Sequence, residues 1–257
     1  MAIIAAFTGT YCGEEPAIRE IIQRTGFRYV TDDDVVAKAS GMSGFSETKL
    51  QNAFSTRTPF LNRLTREKEL SIAYLKAALA EILIDDNIFI NGFTSLLIPA
   101  SVADVLRISI IADMQSRGLK ARDLGLSEKK AFKALHKDDE DRFTWVRDIL
   151  GKDDPWDSSL YAMVLHTNKM TSAEIGDLIA GTIGGVAYMR TLYAQKMIED
   201  FVLASRVDVA VIKKGHYYVA AEADAGEVTL TINKKVLMLK RLENGLQYEA
   251  KKIDGVT

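Results

Sequence analysis

The stretch that decides the fold opens the chain: AIIAAF (Ala2–Phe7), then TGTYCG (Thr8–Gly13), then EEPAIREII (Glu14–Ile22). Six apolar residues in a row, without alternation, mark a strand buried on both faces, as in parallel sheets. The turn after it holds Gly9 and Gly13. Glu14, Glu15 and Pro16 then suit a first helical turn, with Ala17, Ile18, Ile21 and Ile22 on one face. Open parallel sheets bind ligands at the carboxyl ends of their strands, so the Thr8–Gly13 turn is the first place to look for a site.

Outward from this unit the pattern repeats. Gly26 ends the first helix, Phe27–Val30 is short and β-prone, and Thr31-Asp32-Asp33-Asp34 offers an N-cap for a helix carrying Val35, Val36 and Ala39. Arg66–Asp86 reads as a long helix, and Ile88–Asn91, Val105–Ala112 and Leu160–His166 read as three further buried strands. Helical stretches lie between them, around Met114–Leu124 and Ser127–Ile149. Strands alternating with helices predict an α/β fold, a five-stranded parallel sheet with helices on both faces. A helical pattern then runs from Thr171 to about Ser205, interrupted at Gly184-Gly185. After Ser205 the texture changes. Val207, Val209 and Val211 alternate, as do Val228, Leu230 and Ile232, and Lys234–Lys252 returns to a helical pattern. Two units are expected, residues 1–200 and a small C-terminal α+β module over 205–257.

Composition narrows the function. At 257 residues, 47% hydrophobic and 26% charged, the chain is able to bury a sizeable core. Its 33 basic and 35 acidic residues leave −2, without the basic excess of a nucleic-acid binder, so no nucleic-acid partner is expected. From Ser205 onward nine basic residues face seven acidic ones, so the tail is near +2 and the remainder near −4. One cysteine, Cys12, excludes an internal disulfide framework. No apolar run approaches the ~18–20 residues of a membrane span, and the N-terminus lacks the basic region of a secretory signal. No transmembrane segment and a cytoplasmic location are expected.

Few residues carry chemistry. A phosphate-binding loop normally ends in Gly-Lys-Ser/Thr, because lysine neutralises the phosphates and the hydroxyl holds magnesium. Here Gly13 is followed by Glu14-Glu15-Pro16, with no lysine and no hydroxyl. Two arginine groups suit phosphate recognition: Arg142 and Arg147, beside the acidic run Asp138-Asp139-Glu140-Asp141, and Arg57, Arg63 and Arg66 ahead of the long helix. Solvated helix ion pairs are the common alternative for such runs. His136, His166 and His216 lack i, i+4 partners, which argues against zinc. Cys12 heads a predicted helix, but Glu14 and Glu15 oppose a thiolate there.

Four blocks in order resemble the cytidylate-kinase-like family, a branch of the P-loop nucleoside monophosphate kinases: Phe89–Ile98; Val105–Asp113 with Arg117; Leu126–Ala131 with Asp139-x-x-Arg142; and Leu160–Asn168 with Met170–Glu174. The resemblance spans residues 1 to about 183. It implies a P-loop kinase-like fold that passes the γ-phosphoryl of ATP, with magnesium (Mg2+), to a nucleotide such as CMP. It places Thr8, Gly9, Thr10, Tyr11, Cys12 and Gly13 along the phosphates, Arg142, Arg147 and Asp139 at the transferring group, and Arg57, Arg63 or Arg66 on the acceptor phosphate. The chain departs from the family at Gly13-Glu14-Glu15-Pro16, where glycines and a basic residue are usual, and at Ala162, where aspartate is usual. These departures keep open a non-catalytic alternative, a regulatory nucleotide sensor or scaffold. The tail resembles a BON domain over Val207–Val211, Ala225–Leu230 and Lys252–Val256, with Gly215–Ala221 or a partner available to complete its sheet. That implies a protein partner or self-association through the C-terminal module.

Overall fold

A computed structural model describes residues 2–56, 66–185, 188 and 191–257. Its centre is a five-stranded, all-parallel sheet in the order β2-β3-β1-β4-β5, formed by β1 (Ile3–Thr8), β2 (Arg28–Thr31), β3 (Ile88–Asn91), β4 (Val105–Ile111) and β5 (Met163–His166). β1 lies in the middle, with Ile3 level with Ile88 on one side and Val105 on the other. All six β1 residues are buried, as a strand covered on both faces must be.

Side-chain alternation sorts the core into two layers. Ile3 and Ala5 of β1, with Val30, Ile88 and Ile90, pack against α2 (Asp32–Ser43) and α4 (Glu67–Ile82); α3 (Glu47–Gln51) adds Leu50. Ile4 and Ala6, with Phe89, Leu106, Ile108 and Ile110, pack against α1 (Glu14–Thr25) and, through Ile175 and Ile179, α7 (Ser172–Ile183). Between β4 and β5 stand α5 (Met114–Asp123) and the 23-residue α6 (Glu128–Leu150). The predicted N-cap at Thr31 is present as a capping box with Asp34, and Thr171 makes a second one with Glu174. The five expected strands and the helices between them are all present, with ends displaced by a few residues: the last strand begins at Met163 because Ser158–Leu160 is a 3-10 turn.

The segment after the glycine pair differs from expectation. α8 runs unbroken from Leu192 to Lys213, so Val207–Val211 is helix and not strand, and the expected boundary at 200–205 falls inside it. Leu203, Val207 and Val211 are buried at helical spacing. The same valines satisfy a period of two and a period near four, and packing settles the choice. Upstream, Ile198, Phe201 and Val202 of α8 enter the core beside α4. Downstream, Val207 and Val211 join Val219, Ala221, Leu246 and Ala250 in a separate cluster. That cluster is completed by an antiparallel hairpin, β6 (Val219–Asp224) with β7 (Glu227–Ile232), and by α9 (Leu239–Ala250). The strand pairing with β7 overlaps the predicted Gly215–Ala221 segment. The last helix begins at Leu239, five residues later than the pattern suggested.

Candidate functional site

The loop leaving β1 sits at the carboxyl edge of the central strands. Gly9 N–H donates to Ile110 O at 3.0 Å, tying the loop to β4. Tyr11 and Gly13 take left-handed backbone conformations, φ 57° and 70°, which turn the chain into α1. Cys12 is buried, its Sγ 2.8 Å from Gly9 O and 3.3 Å from Glu14 Oε2, and its carbonyl accepts from Thr167 Oγ1. Burial and Glu14 push the Cys12 thiol far above its usual range, which disfavours the thiolate.

The head of α1 holds a side chain of the chain itself. Glu14 lies in the first turn of α1 with its Oε2 3.3 Å from Cys12 Sγ, and burial pushes its pKa up while hydrogen bonding and the Arg142 charge pull it down. An acceptor is therefore already in place at the N–H end that would draw a phosphate. The cavity left between Gly9, Ile111, Ala112, Arg117 and Trp156 is about 70 Å³, space for a few waters. With no loop lysine, this donor set does not fit the triphosphate of ATP with its magnesium.

Two arginines lie beneath the loop, and both donate to its backbone. Arg117, 6% exposed, donates through Nε to Thr10 O at 2.8 Å and forms a two-point pair with Asp139 at 2.9 and 2.7 Å. Arg142 donates to Thr8 O at 2.8 Å and to Asp138 O at 3.1 Å, and stacks over Phe93 and Phe7 at 5.2 and 5.9 Å. Burial lowers its pKa. Asp141, also buried, accepts from Thr56 N and Oγ1 at 2.7 and 2.9 Å. The acidic run is thus not a plain solvated face: Asp139 and Asp141 tie Arg117 and Thr56 to α6.

The structure brings Thr8, Gly9, Thr10, Tyr11, Cys12, Gly13, Asp139 and Arg142 together. It separates Arg147, which is exposed and 4.0 Å from Asp148, and Arg66, which heads α4 and pairs with Glu69 at 2.8 Å. Arg57 and Arg63 lie outside the described residues. His136 is exposed beside Glu140, and among the described residues no group of three His, Cys, Asp or Glu is placed to hold a metal.

One participant was not apparent from sequence. Asp32 accepts from Phe93 N, Thr94 N and Thr94 Oγ1 at 2.8, 2.8 and 2.6 Å, joining the end of β2 to the turn after β3. Burial raises its pKa while these bonds oppose the rise. Gly92, at φ 130°, is required there, because a Cβ would fall inside the Asp32 carboxylate. A glycine just after a predicted strand was the available signal.

The all-parallel order β2-β3-β1-β4-β5, with a glycine-bearing loop and a helix directly after β1, is that of a P-loop kinase-like α/β domain. Within that class, the chain belongs to the cytidylate kinase-like family, whose profile matches residues 3–169. Among solved structures it is similar to an uncharacterized protein from Eubacterium ventriosum: 14% identity, 71% of this chain and 97% of that one covered, TM-score 0.51. It is also similar to TT1252 from Thermus thermophilus, at 13% identity, 72% and 97% coverage and TM-score 0.40. No curated protein matches the sequence. Family membership makes the fold nucleotide-kinase-like, and no helix among the described residues is long and apolar enough to cross a membrane.

Proposed function

We propose that this protein uses the nucleotide-kinase fold without phosphoryl transfer, as a regulatory nucleotide sensor or a scaffold acting through its C-terminal hairpin and helix. The observation that carries the reading is Glu14, an acid in the first turn of α1 whose Oε2 lies 3.3 Å from Cys12 Sγ in the loop. A triphosphate arriving there meets a like charge, at a cost on the order of 1–4 kcal/mol depending on exposure. Asp139 already neutralises Arg117 in a two-point pair, and Arg142 is held by the carbonyls of Thr8 and Asp138. The free thiol of Cys12 suits the reducing cytoplasm.

A second reading keeps the transfer of a phosphoryl group from ATP to CMP. Its support is the retention of Arg117 and Arg142 under the loop, since cations there are what phosphoryl transfer needs. It requires both guanidiniums to leave their present partners. Calorimetry with ATP and with CMP, each with magnesium, separates the readings. A sensor gives heat with a nucleotide and no CMP-dependent ATP consumption, and a scaffold gives neither. Steady CMP-dependent turnover within the ~1–100 s⁻¹ range of kinases overturns the proposal.

A further inference from the structure

β6 and β7 form a two-stranded sheet whose two outer edges differ. The β6 edge is covered: Ala221 N turns away from β7 and donates to Asp208 Oδ1 of α8 at 2.8 Å. The β7 edge is open. In an antiparallel pair, alternate residues bond the neighbouring strand, and those between them direct N–H and C=O outward. Asn233 N donates to Tyr218 O at 2.8 Å, which fixes the phase. Thr231 and Thr229 therefore face β6, while Val228, Leu230 and Ile232 present their backbone groups on the free edge. Among the described residues no turn or loop segment bonds to those groups. Just before β7 the same edge does take a bond, from Thr257 N to Gly226 O at 3.0 Å.

Val228, Leu230 and Ile232 are also the half-buried side of the strand, and Glu227, Thr229 and Thr231 its exposed side. A groove of about 470 Å³ runs beside them, between β7 and α9. Glu243, Gln247 and Lys251 line its helical wall. Their spacing of four makes them one stripe along α9, and all three are exposed. Glu243 lies at the Ile232 end of the groove, and Lys251, two turns further along α9, lies toward the Glu227 end. The ion pairs of this region join Lys214 and Lys252 to Glu249, and among the described residues none uses Glu243 or Lys251.

We propose that the β7 edge pairs with the β7 edge of a second copy of this chain, antiparallel about a two-fold axis at Leu230. Bonds form only where outward-facing residues oppose one another. The register that uses the whole strand sets Leu230 against the partner's Leu230 and Val228 against the partner's Ile232, for about six backbone hydrogen bonds between the copies. In that register the apolar sides coincide. Thr229 meets the partner's Thr231 and Glu227 meets the partner's Asn233, so no like charges are opposed. The two copies of α9 then pass in opposite directions, which brings Glu243 level with the partner's Lys251 and Gln247 level with the partner's Gln247. Backbone phase, apolar side and charge all select the same occupant. The inference rests on the scaffold reading, for which it specifies the contact made by the hairpin and helix. Its test needs no nucleotide, so its failure is distinct from that of the nucleotide readings.

The test is sedimentation velocity of the full chain over a range of concentrations, without nucleotide. A dimer that dissociates on dilution is expected. Leu230→Pro removes an outward N–H and no bond to β6, and should leave a monomer. Glu243→Lys replaces two exposed ion pairs per dimer by like charges and should weaken dimerisation about tenfold. Glu243→Lys with Lys251→Glu exchanges the charges and should restore the parental dissociation constant. An unchanged thermal transition verifies that each variant is folded, and the two charge variants decide if Leu230→Pro unfolds. A parent that stays monomeric throughout overturns the proposal and leaves the edge to a strand of another protein. It is equally overturned if folded Leu230→Pro or Glu243→Lys dimerises as the parent does, or if the exchange of charges restores nothing.

Discussion

Arg142 Nε donates to the carbonyl oxygen of Thr8 at 2.8 Å, joining the middle of the longest helix to the end of the central strand. This bond makes Arg142 a strut between α6 and β1. Arg142→Ala should lower unfolding free energy by about 1.5–3 kcal/mol, the range for a hydrogen bond made by a charged group. Arg142→Lys should not restore it, because an ammonium lacks the planar fork that reaches Thr8 and Asp138 together. Urea unfolding of both variants is the check, and a parental midpoint for Arg142→Ala returns the residue to a ligand-binding role.

Gly92 and Asp32 should depend on one another. Gly92→Ala places a methyl group against the Asp32 carboxylate at a φ that side chains avoid, so a loss of about 3 kcal/mol or more is expected. Asp32→Ala leaves Phe93 N and Thr94 N without their acceptor, at about 1–3 kcal/mol. The double variant should lose less than the sum, since removing the carboxylate relieves the clash. Strict additivity in a double-mutant cycle would show that the two positions are not coupled.

Glu14 should make stability fall as pH rises. Its folded pKa lies above the ordinary 4.5, so the folded state holds the proton more tightly than the unfolded state does. Stability from this group is complete below the ordinary value and is lost as pH rises through the raised one. Glu14→Gln keeps an acceptor oxygen and removes the titration. The variant should therefore match the parent in acid and exceed it at neutral pH. A stability difference that stays constant across that window would show that Glu14 is not withdrawn from water.

The chain should not tolerate truncation at residue 200. Removing residues 201–257 strips Phe201 and Val202 from the main core and ends α8 halfway along its length. Burial of the two side chains contributes about 1.5–3 kcal/mol each, so melting should fall by about 10 °C or more in a chain of this size. Ending the chain at Lys213 retains both residues and should cost less. Equal melting of the 1–200 fragment and the full chain would restore a boundary at 200–205.

Much of the fold was legible because its signals are local. Ala2–Phe7 is apolar at every position, and only a strand covered on both sides makes use of that; Thr31 with Asp34 and Thr171 with Glu174 cap helices through residues three apart. The loop Thr8–Gly13 could be placed as the site because a parallel strand must hand its chain to a helix at its carboxyl end. Charge alone already set Glu14 and Glu15 against a phosphate at that end.

Tertiary structure decided the rest. Val207, Val209 and Val211 satisfy two periods, and packing of α8 against the central core and the terminal hairpin selected the helix. Arg142 and Arg147 look equivalent in the chain, yet five residues rotate a helix by about 140°, so one lies under the loop and the other faces water. Asp32 finds the turn after β3 only because β2 and β3 are neighbours in the sheet. Whether an arginine is a free cation or a committed strut depends on the carbonyls and carboxylates within reach, and residues far apart in the chain supply those.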